Sequence, residues 1–428
     1  MNTVQKNSFL ETANAIAARL CRDAIWDGKR CNWLGASMDY LLNNWTVTES
    51  TFGPDLYTGT SGIALFLGYM YQLTPEKLYR QTTEGAIAHA LSQLPDLPPE
   101  VRSGFYSGCT GIGYVLVHLG KIFDDRDWLE QGLKILGERC QDDPNRQQLD
   151  VVSGMAGAIP ALLSVYQHYP QDALLEAANR YGEYLLTKTN KSNYGWSWTT
   201  LQIPGEVSQQ DLTGFSHGAA GIAWALLELY RETEQDSFRI AAEEGFRYEQ
   251  NWYNPQYENW PDLRNLQQDT TTGTNPTPSY GVAWCHGAPG IGFSRLRAYE
   301  ISGKAAYKQE AEAAVRTTMK SLQQPVTGAE SYCLCHGFAG NAELLLYASR
   351  ILGNAEYKAL AEQVGWQGIE HYEKNGISWS CGVMGGGETP NLMLGLAGIG
   401  YFYLRLYDPQ LVPSMLIILP EKDSTKSM

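Results

Sequence analysis

Two stretches of the chain set cysteine beside histidine just ahead of a glycine. WCHGAPGIG runs from Trp284 to Gly292 and CLCHGFAGN from Cys333 to Asn341, and each leads into an apolar, helix-like run. Thiolate sulfur and imidazole nitrogen are the ligands that zinc takes in tetrahedral geometry, and a catalytic zinc keeps three protein ligands with a fourth position open. Cys285, Cys335 and His336 meet that count. A lone cysteine is also commonly a small buried hydrophobe, so without a Cys-x-x-Cys pair the metal reading and the packing reading both stand. Cys333, two residues upstream of Cys335, and His286, adjacent to Cys285, are rival ligands.

Two further groups could work beside such a metal. His217, in GFSHGAAGI, occupies the place that His286 and His336 occupy in their own segments. An imidazole titrates in the range useful for a general acid or base, although a helix cap is an equally good account of it. Asp150, four residues before Gly154 in LDVVSGMAG, brings a carboxylate to the same kind of loop; an exposed or capping Asp is the commoner reading. The other histidines, His89, His118, His168 and His371, fall within helical stretches away from these loops.

The elements that must position these residues form a repeat. Seven Gly-x-x-Gly units, each followed by an apolar run, begin at Gly59, Gly108, Gly154, Gly218, Gly287, Gly337 and Gly395, at intervals of 46 to 69 residues. Repeats of this kind are supersecondary units that bury a core only by stacking on their neighbours. Between them lie amphipathic stretches such as DWLEQGLKILGERC and KAAYKQEAEAAVRTTMKSL, with apolar residues three and four apart and charges between, the pattern of a helix with one wet face. Each repeat reads as an outer amphipathic helix followed by an inner buried one, with Val4 to Trp26 as the first outer helix. The total is fourteen helices.

An open solenoid needs polar capping repeats at its ends, whereas the last inner run, IGYFYLRLY, is as apolar as the rest. The expected fold is therefore all-α, a closed α/α toroid of seven helical hairpins, occupying residues 1–428 as one domain. All inner helices then run the same way, so all seven glycine loops meet at one mouth. The glycines are expected to serve tight turns with positive φ and close helix approach. Residues 190–216 and 254–286, the longest loops, read as walls or lids over that mouth. FDDRDW at 123–128, which looks like an acidic pyrophosphate motif, falls between an inner and an outer helix at the opposite end and reads as a solvated turn.

Composition narrows the partners. A formal charge of -14 with no basic stripe argues against nucleic acid. No apolar run of about eighteen residues marks an integral membrane segment, and the N-terminus lacks the layout of a signal peptide. Eight cysteines in 428 residues are too sparse for a disulfide scaffold. The expected location is the cytoplasm.

FSHGAAGIAWALL, WCHGAPGIGFSRL, CHGFAGNAELLL and PNLMLGLAGIGYFYLRL together resemble the lanthionine synthetase C-like cyclases, above all the cyclase part of two-domain lanthipeptide synthetases. The resemblance runs from about Leu56 to Pro413. It implies a seven-hairpin toroid with one catalytic zinc per chain on Cys285, Cys335 and His336, the residues that the repeat register also selects. It implies His217 as acid or base with Asp150 as its charged neighbour, and His286 as a substrate contact. The implied reaction is Michael-type addition of a peptide cysteine thiol to dehydroalanine or dehydrobutyrine, which closes a thioether ring in a dehydrated precursor peptide. Two-domain relatives carry a dehydratase region ahead of the cyclase, so the expectation here is either a separate dehydratase as partner or a substrate that already contains dehydroamino acids. Glutathione addition to dehydroamino acids and a non-catalytic peptide- or partner-binding scaffold with structural zinc are the alternatives. Protein prenylation also uses zinc-activated thiols on an α/α barrel, but seven repeats rather than six argue against it.

Overall fold

In the computed structural model, the chain is described at residues 3–41, 44–139, 143–200, 210–264, 278–328 and 330–420. Among these residues the helices are, in chain order, α1 (Thr3–Asp23), α2 (Thr60–Leu73), α3 (Lys77–Gln93), α4 (Cys109–Phe123), α5 (Arg126–Arg139), α6 (Met155–His168), α7 (Asp172–Thr187), α8 (Ala219–Thr233), α9 (Asp236–Trp252), α10 (Ala288–Ser302), α11 (Ala305–Leu322), α12 (Phe338–Leu352), α13 (Ala355–Gly368) and α14 (Leu396–Tyr407). The even-numbered helices are the apolar runs that follow the glycine units, and they are buried over most of their length. Burying an apolar helix on all sides removes its whole surface from water, the largest favourable contribution it can make.

The even helices form the inner ring. Each packs on the next, from α2 through α4, α6, α8, α10 and α12 to α14, and α14 packs back on α2. The ring is closed. The odd helices lie outside it, but the pairing differs from the expected outer-then-inner repeat: each inner helix pairs most closely with the outer helix that follows it, α2 with α3 through α12 with α13. The seventh hairpin joins α14 to α1, so the two ends of the helical chain close the toroid together. The reason is the short connection from inner to outer helix, such as Asp124–Asp125 between α4 and α5, against the long one back. FDDRDW is that short turn, with Asp124 in the left-handed region at φ 52.

The first helix stops at Asp23, short of the expected Trp26, because Ile25–Asp27 (β1) pairs antiparallel with Arg30–Asn32 (β2). A longer hairpin follows, Leu34–Leu41 (β3) with Asn44–Thr51 (β4), and a third, Asn190–Ser192 (β5) with Gly195–Ser197 (β6), lies in the loop before α8. The reading by helical periodicity did not include these three hairpins. Among the described residues no helix is long and apolar enough to cross a membrane.

At the mouth the seven glycine loops are stitched into a collar. The residue two places before the first glycine of each unit is Tyr57, Tyr106, Val152, Ser216, Cys285, Cys335 or Met393. Backbone bonds link each loop to the next, from these residues in six loops and from Val151, one place earlier, in the third: Tyr57 N to Tyr106 O, Tyr106 N to Val152 O, Val151 N to Ser216 O, Ser216 N to Cys285 O, Cys285 N to Cys335 O, Cys335 N to Met393 O, and Met393 N to Tyr57 O, all between 2.9 and 3.3 Å. The circuit returns to its start. One place earlier stand Leu56, Phe105, Val151, Phe215, Trp284, Leu334 and Leu392, every one at most 1% exposed. These apolar side chains anchor each loop in the core.

The second glycine of each unit is explained by the same crossing. A Cβ on Gly62, Gly111, Gly157, Gly221, Gly290, Gly340 or Gly398 would sit 1.8–2.3 Å from the carbonyl oxygen six residues earlier. Close approach, and not left-handed backbone, is what these units require. Of the fourteen unit glycines only Gly287 has positive φ, at 98.

The lumen below the collar is filled by the chain's own C-terminal segment. After α14, the carbonyls of Pro413, Met415 and Leu416 accept from Tyr401 Oη (2.8 Å), Tyr106 Oη (2.6 Å) and Trp284 Nε1 (2.9 Å). Met415 to Ile418 are buried. Tyr106 and Trp284, from loops two and five, meet edge to face at 5.3 Å. Beneath them, charged pairs join neighbouring inner helices: Glu228 of α8 with Arg297 of α10 (2.5 Å) and Glu343 of α12 with Arg405 of α14 (3.0 Å).

Candidate metal centre

Adjacent places in the collar put the two cysteines together. Cys285 precedes α10 and Cys335 precedes α12, inner-ring neighbours joined by the Cys285 N to Cys335 O bond at 3.3 Å. One donor atom each from Cys285, Cys335 and His336 lie within 4.8 Å of one another. Zinc–sulfur bonds of about 2.3 Å and zinc–nitrogen bonds of about 2.0 Å require donors roughly 3.5–3.8 Å apart in a tetrahedron, so a small contraction would serve. Cys335 is buried, Cys285 half-buried and His336 exposed, which leaves one side open to the mouth. Cys333 and His286, the rival ligands, fall outside this cluster.

The surrounding groups orient the ligands. His336 Nε2 lies 2.9 Å from the carbonyl oxygen of Gly382. A carbonyl only accepts, so Nε2 carries the proton and Nδ1 is the nitrogen left to bind a metal, the usual second-shell arrangement for a ligating imidazole. Gly382 N in turn donates to Leu394 O at 2.6 Å. A Cβ at residue 382 would stand 2.9 Å from Cys333 Sγ and 3.0 Å from His336 Nε2, so glycine keeps this wall close. Tyr57 Oη donates to Cys335 Sγ at 2.8 Å.

The two thiols share a hydrogen bond. The hydrogen bond from Cys335 holds Cys285 well below the ordinary thiol value against the cost of burial, and the same bond, with burial, holds Cys335 well above it. The protein packed around the ring works against a charged His336 although the residue reaches solvent, but its hydrogen bonds with Cys285 and Cys333 keep its pKa above the ordinary imidazole value. Both shifts favour negative charge on Cys285 and positive charge on His336.

His217 and Asp150 form a second unit beside the first. His217 Nδ1 stands 2.7 Å from Asp150 Oδ2, and Asp150 Oδ1 accepts from Ser153 N at 2.6 Å. The carboxylate is thereby fixed, and among the described residues Nε2 of His217 has no hydrogen bond and is left for other work. Burial lowers the His217 pKa, yet the charge and hydrogen bond of Asp150 outweigh it and the net shift is upward. The loops are tied together as well: Ser216 Oγ, next to His217, donates to Cys285 O at 3.1 Å.

His286 lies between the two units, its ring 6.0 Å from that of His217. It is 4% exposed, and neither ring nitrogen has a hydrogen-bond partner among the described residues. A buried polar group without a partner is costly, and such a group at a mouth is what a bound molecule would satisfy. Burial, with Arg264 nearby, pushes its pKa down to about 4 despite the opposing Cys285 thiolate. That shift favours the neutral imidazole.

Tyr57, Gly382 and Arg264 were not singled out by sequence. Tyr57 had a signal, since it stands two places before Gly59, as Cys335 does before Gly337. Gly382 and Arg264 lie outside the repeats and had none. Arg264 pairs with Asp262 through Nε to Oδ1 (3.0 Å) and Nη2 to Oδ2 (2.5 Å). Despite burial, Asp262 and the thiols of Cys285 and Cys335 favour its charge. The expected lids at 190–216 and 254–286 lie partly outside the described residues, at 201–209 and 265–277.

A closed seven-hairpin toroid whose mouth gathers two cysteines and a histidine defines the class: an α/α toroid with a candidate thiolate–imidazole metal centre. The chain belongs to the lanthionine synthetase C-like protein family, whose sequence model matches residues 50–417. It is 23% identical over 385 residues to the lacticin 481/lactococcin biosynthesis protein LcnDR2 of Lactococcus lactis subsp. lactis, covering 87% of this chain and 38% of that protein. The chain thus spans well under half the length of that relative. It is 23% identical over 373 residues to the glutathione S-transferase LANCL1 of Danio rerio, covering 82% of each. Among solved structures it resembles nisin cyclase with a TM-score of 0.64 and 19% identity, over 84% of this chain and 90% of that one. That likeness shows the toroid fold.

Proposed function

We propose that this protein is a zinc-dependent cyclase that forms lanthionine or methyllanthionine thioether rings in a dehydrated precursor peptide. The observation that carries the reading is the convergence of Cys285, Cys335 and His336 within 4.8 Å at the mouth of a toroid of this family. Zinc held by these three residues would supply a peptide thiol that is deprotonated yet nucleophilic at neutral pH.

The addition balances without a redox partner. The peptide sulfur bonds to the β-carbon of dehydroalanine or dehydrobutyrine, the π pair moves toward the α-carbon and its carbonyl, and one proton returns to the α-carbon. His217 gives that proton from Nε2, while Asp150 holds Nδ1 and favours the charged ring. His286, neutral and unpartnered, contacts the substrate through a ring nitrogen. The filled lumen leaves the mouth as the way in. A dehydratase activity supplies the substrate, and the addition takes place in the cytoplasm.

The test is a peptide carrying one cysteine and one dehydroalanine, incubated with the protein and then treated with a thiol alkylating reagent. Ring closure consumes the thiol, so the expected product resists alkylation. A peptide that stays fully alkylated with zinc-loaded protein and its proper partner would overturn the reading. The similarity to LANCL1 favours a second reading, addition of glutathione to the same dehydroamino acids. A product heavier by one glutathione identifies it.

A further inference from the structure

We propose that Tyr57 is a positioning residue of the metal centre, whose hydroxyl bond to the Cys335 sulfur sets how much electron density that ligand gives to the metal. This rests on the metal reading above. The hydroxyl is 2.8 Å from Cys335 Sγ. A ligating thiolate has no proton to give, so Tyr57 must be the donor. The tyrosine comes from the first repeat and the cysteine from the sixth, and the collar fixes one against the other: Met393 N donates to Tyr57 O at 2.9 Å, and Cys335 N donates to Met393 O at 3.0 Å. On its other side Tyr57 N donates to Tyr106 O at 2.9 Å, and the two rings pack edge to face.

The chemistry of the donor set gives this bond a purpose. Two thiolates and a neutral imidazole already cancel the charge of a divalent ion, so an incoming peptide thiolate makes the centre anionic. A donor on one sulfur draws off part of that charge and favours the thiolate form of the substrate. Hydrogen bonds to ligating sulfur and other outer-shell contacts are known levers on metal sites, worth about 10–100-fold in affinity or activity.

The test substitutes cobalt for zinc in the full chain and reads the thiolate-to-cobalt charge-transfer band. Tyr57→Phe keeps the ring and its packing and removes only the hydroxyl. The band is expected to move to lower energy, and the pH at which thiol addition reaches half its maximal rate to move upward. Tyr106→Phe is the control, since its hydroxyl bonds to Met415 O and not to sulfur; its band should stay where the wild-type band lies. An unmoved band in folded, cobalt-loaded Tyr57→Phe, or an equal shift in Tyr106→Phe, would overturn the role of Tyr57 alone. A wild-type protein that takes up neither cobalt nor zinc would overturn the metal reading and this inference with it.

Discussion

The amide of Cys285 donates to the carbonyl of Cys335 at 3.3 Å, so the two thiols are neighbours in a continuous ring of backbone bonds. Their spacing is a property of the collar and not of either loop alone. Anything that loosens the collar should loosen the site.

The glycine units offer the cleanest test of that link. Gly340→Ala would drive a methyl group to 1.8 Å from Leu334 O, one residue before Cys335. A stability loss at or above the roughly 1–3 kcal/mol of ordinary overpacking is expected, together with weaker metal retention. Gly137→Ala, in the last turn of α5 with nothing within 4 Å of the new methyl, should instead stabilise by about 0.4–1 kcal/mol. Chemical denaturation of the two variants side by side gives both numbers.

The His217–Asp150 pair makes a prediction about pH. Asp150 raises the His217 pKa, so a proton donor at this position is fully charged at low pH and is lost as pH rises through the raised value. Where protonation limits the rate, activity should fall on the alkaline side, and Asp150→Asn should move that fall to lower pH. His217→Asn should lower kcat by about 10²–10⁴ while zinc stays bound. By the same sign, the stability that this pair contributes is present below the unfolded imidazole value and fades through the folded one.

Removal of residues 409–420 should collapse the floor of the site. Met415, Leu416, Ile417 and Ile418 are each at most 3% exposed, and burying a side chain of this size contributes about 1.5–3 kcal/mol. Four of them rival the whole stability of an ordinary domain, about 5–15 kcal/mol. The truncated chain is expected to melt at much lower temperature and to bind a dye for exposed apolar surface. A truncated protein with wild-type melting would mean that the lumen does not depend on the plug.

Much of this was legible in the sequence because a repeat converts spacing into position. Gly287 and Gly337 stand in register, so Cys285 and Cys335 had to meet once the ring closed, and His217 had to lie one loop further on. The pairing of α14 with α1 was not legible, since helical periodicity does not say which neighbour an amphipathic face prefers. Nor was the C-terminal plug: MLIILP after Ser414 reads as a plain apolar run, and only the closed ring gives it a lumen to fill. The β3–β4 hairpin escaped because its strands alternate too weakly to compete with the helical pattern around them. Gly382 and Arg264 act across long sequence separations outside the repeat, where no local pattern marks them.

The most direct measurement is the metal content of the purified full chain by elemental mass spectrometry, with Cys335→Ser measured beside it. The account predicts about one zinc per wild-type chain and little in the variant, both folded. A well-folded wild-type protein that holds no zinc even after reconstitution would contradict it.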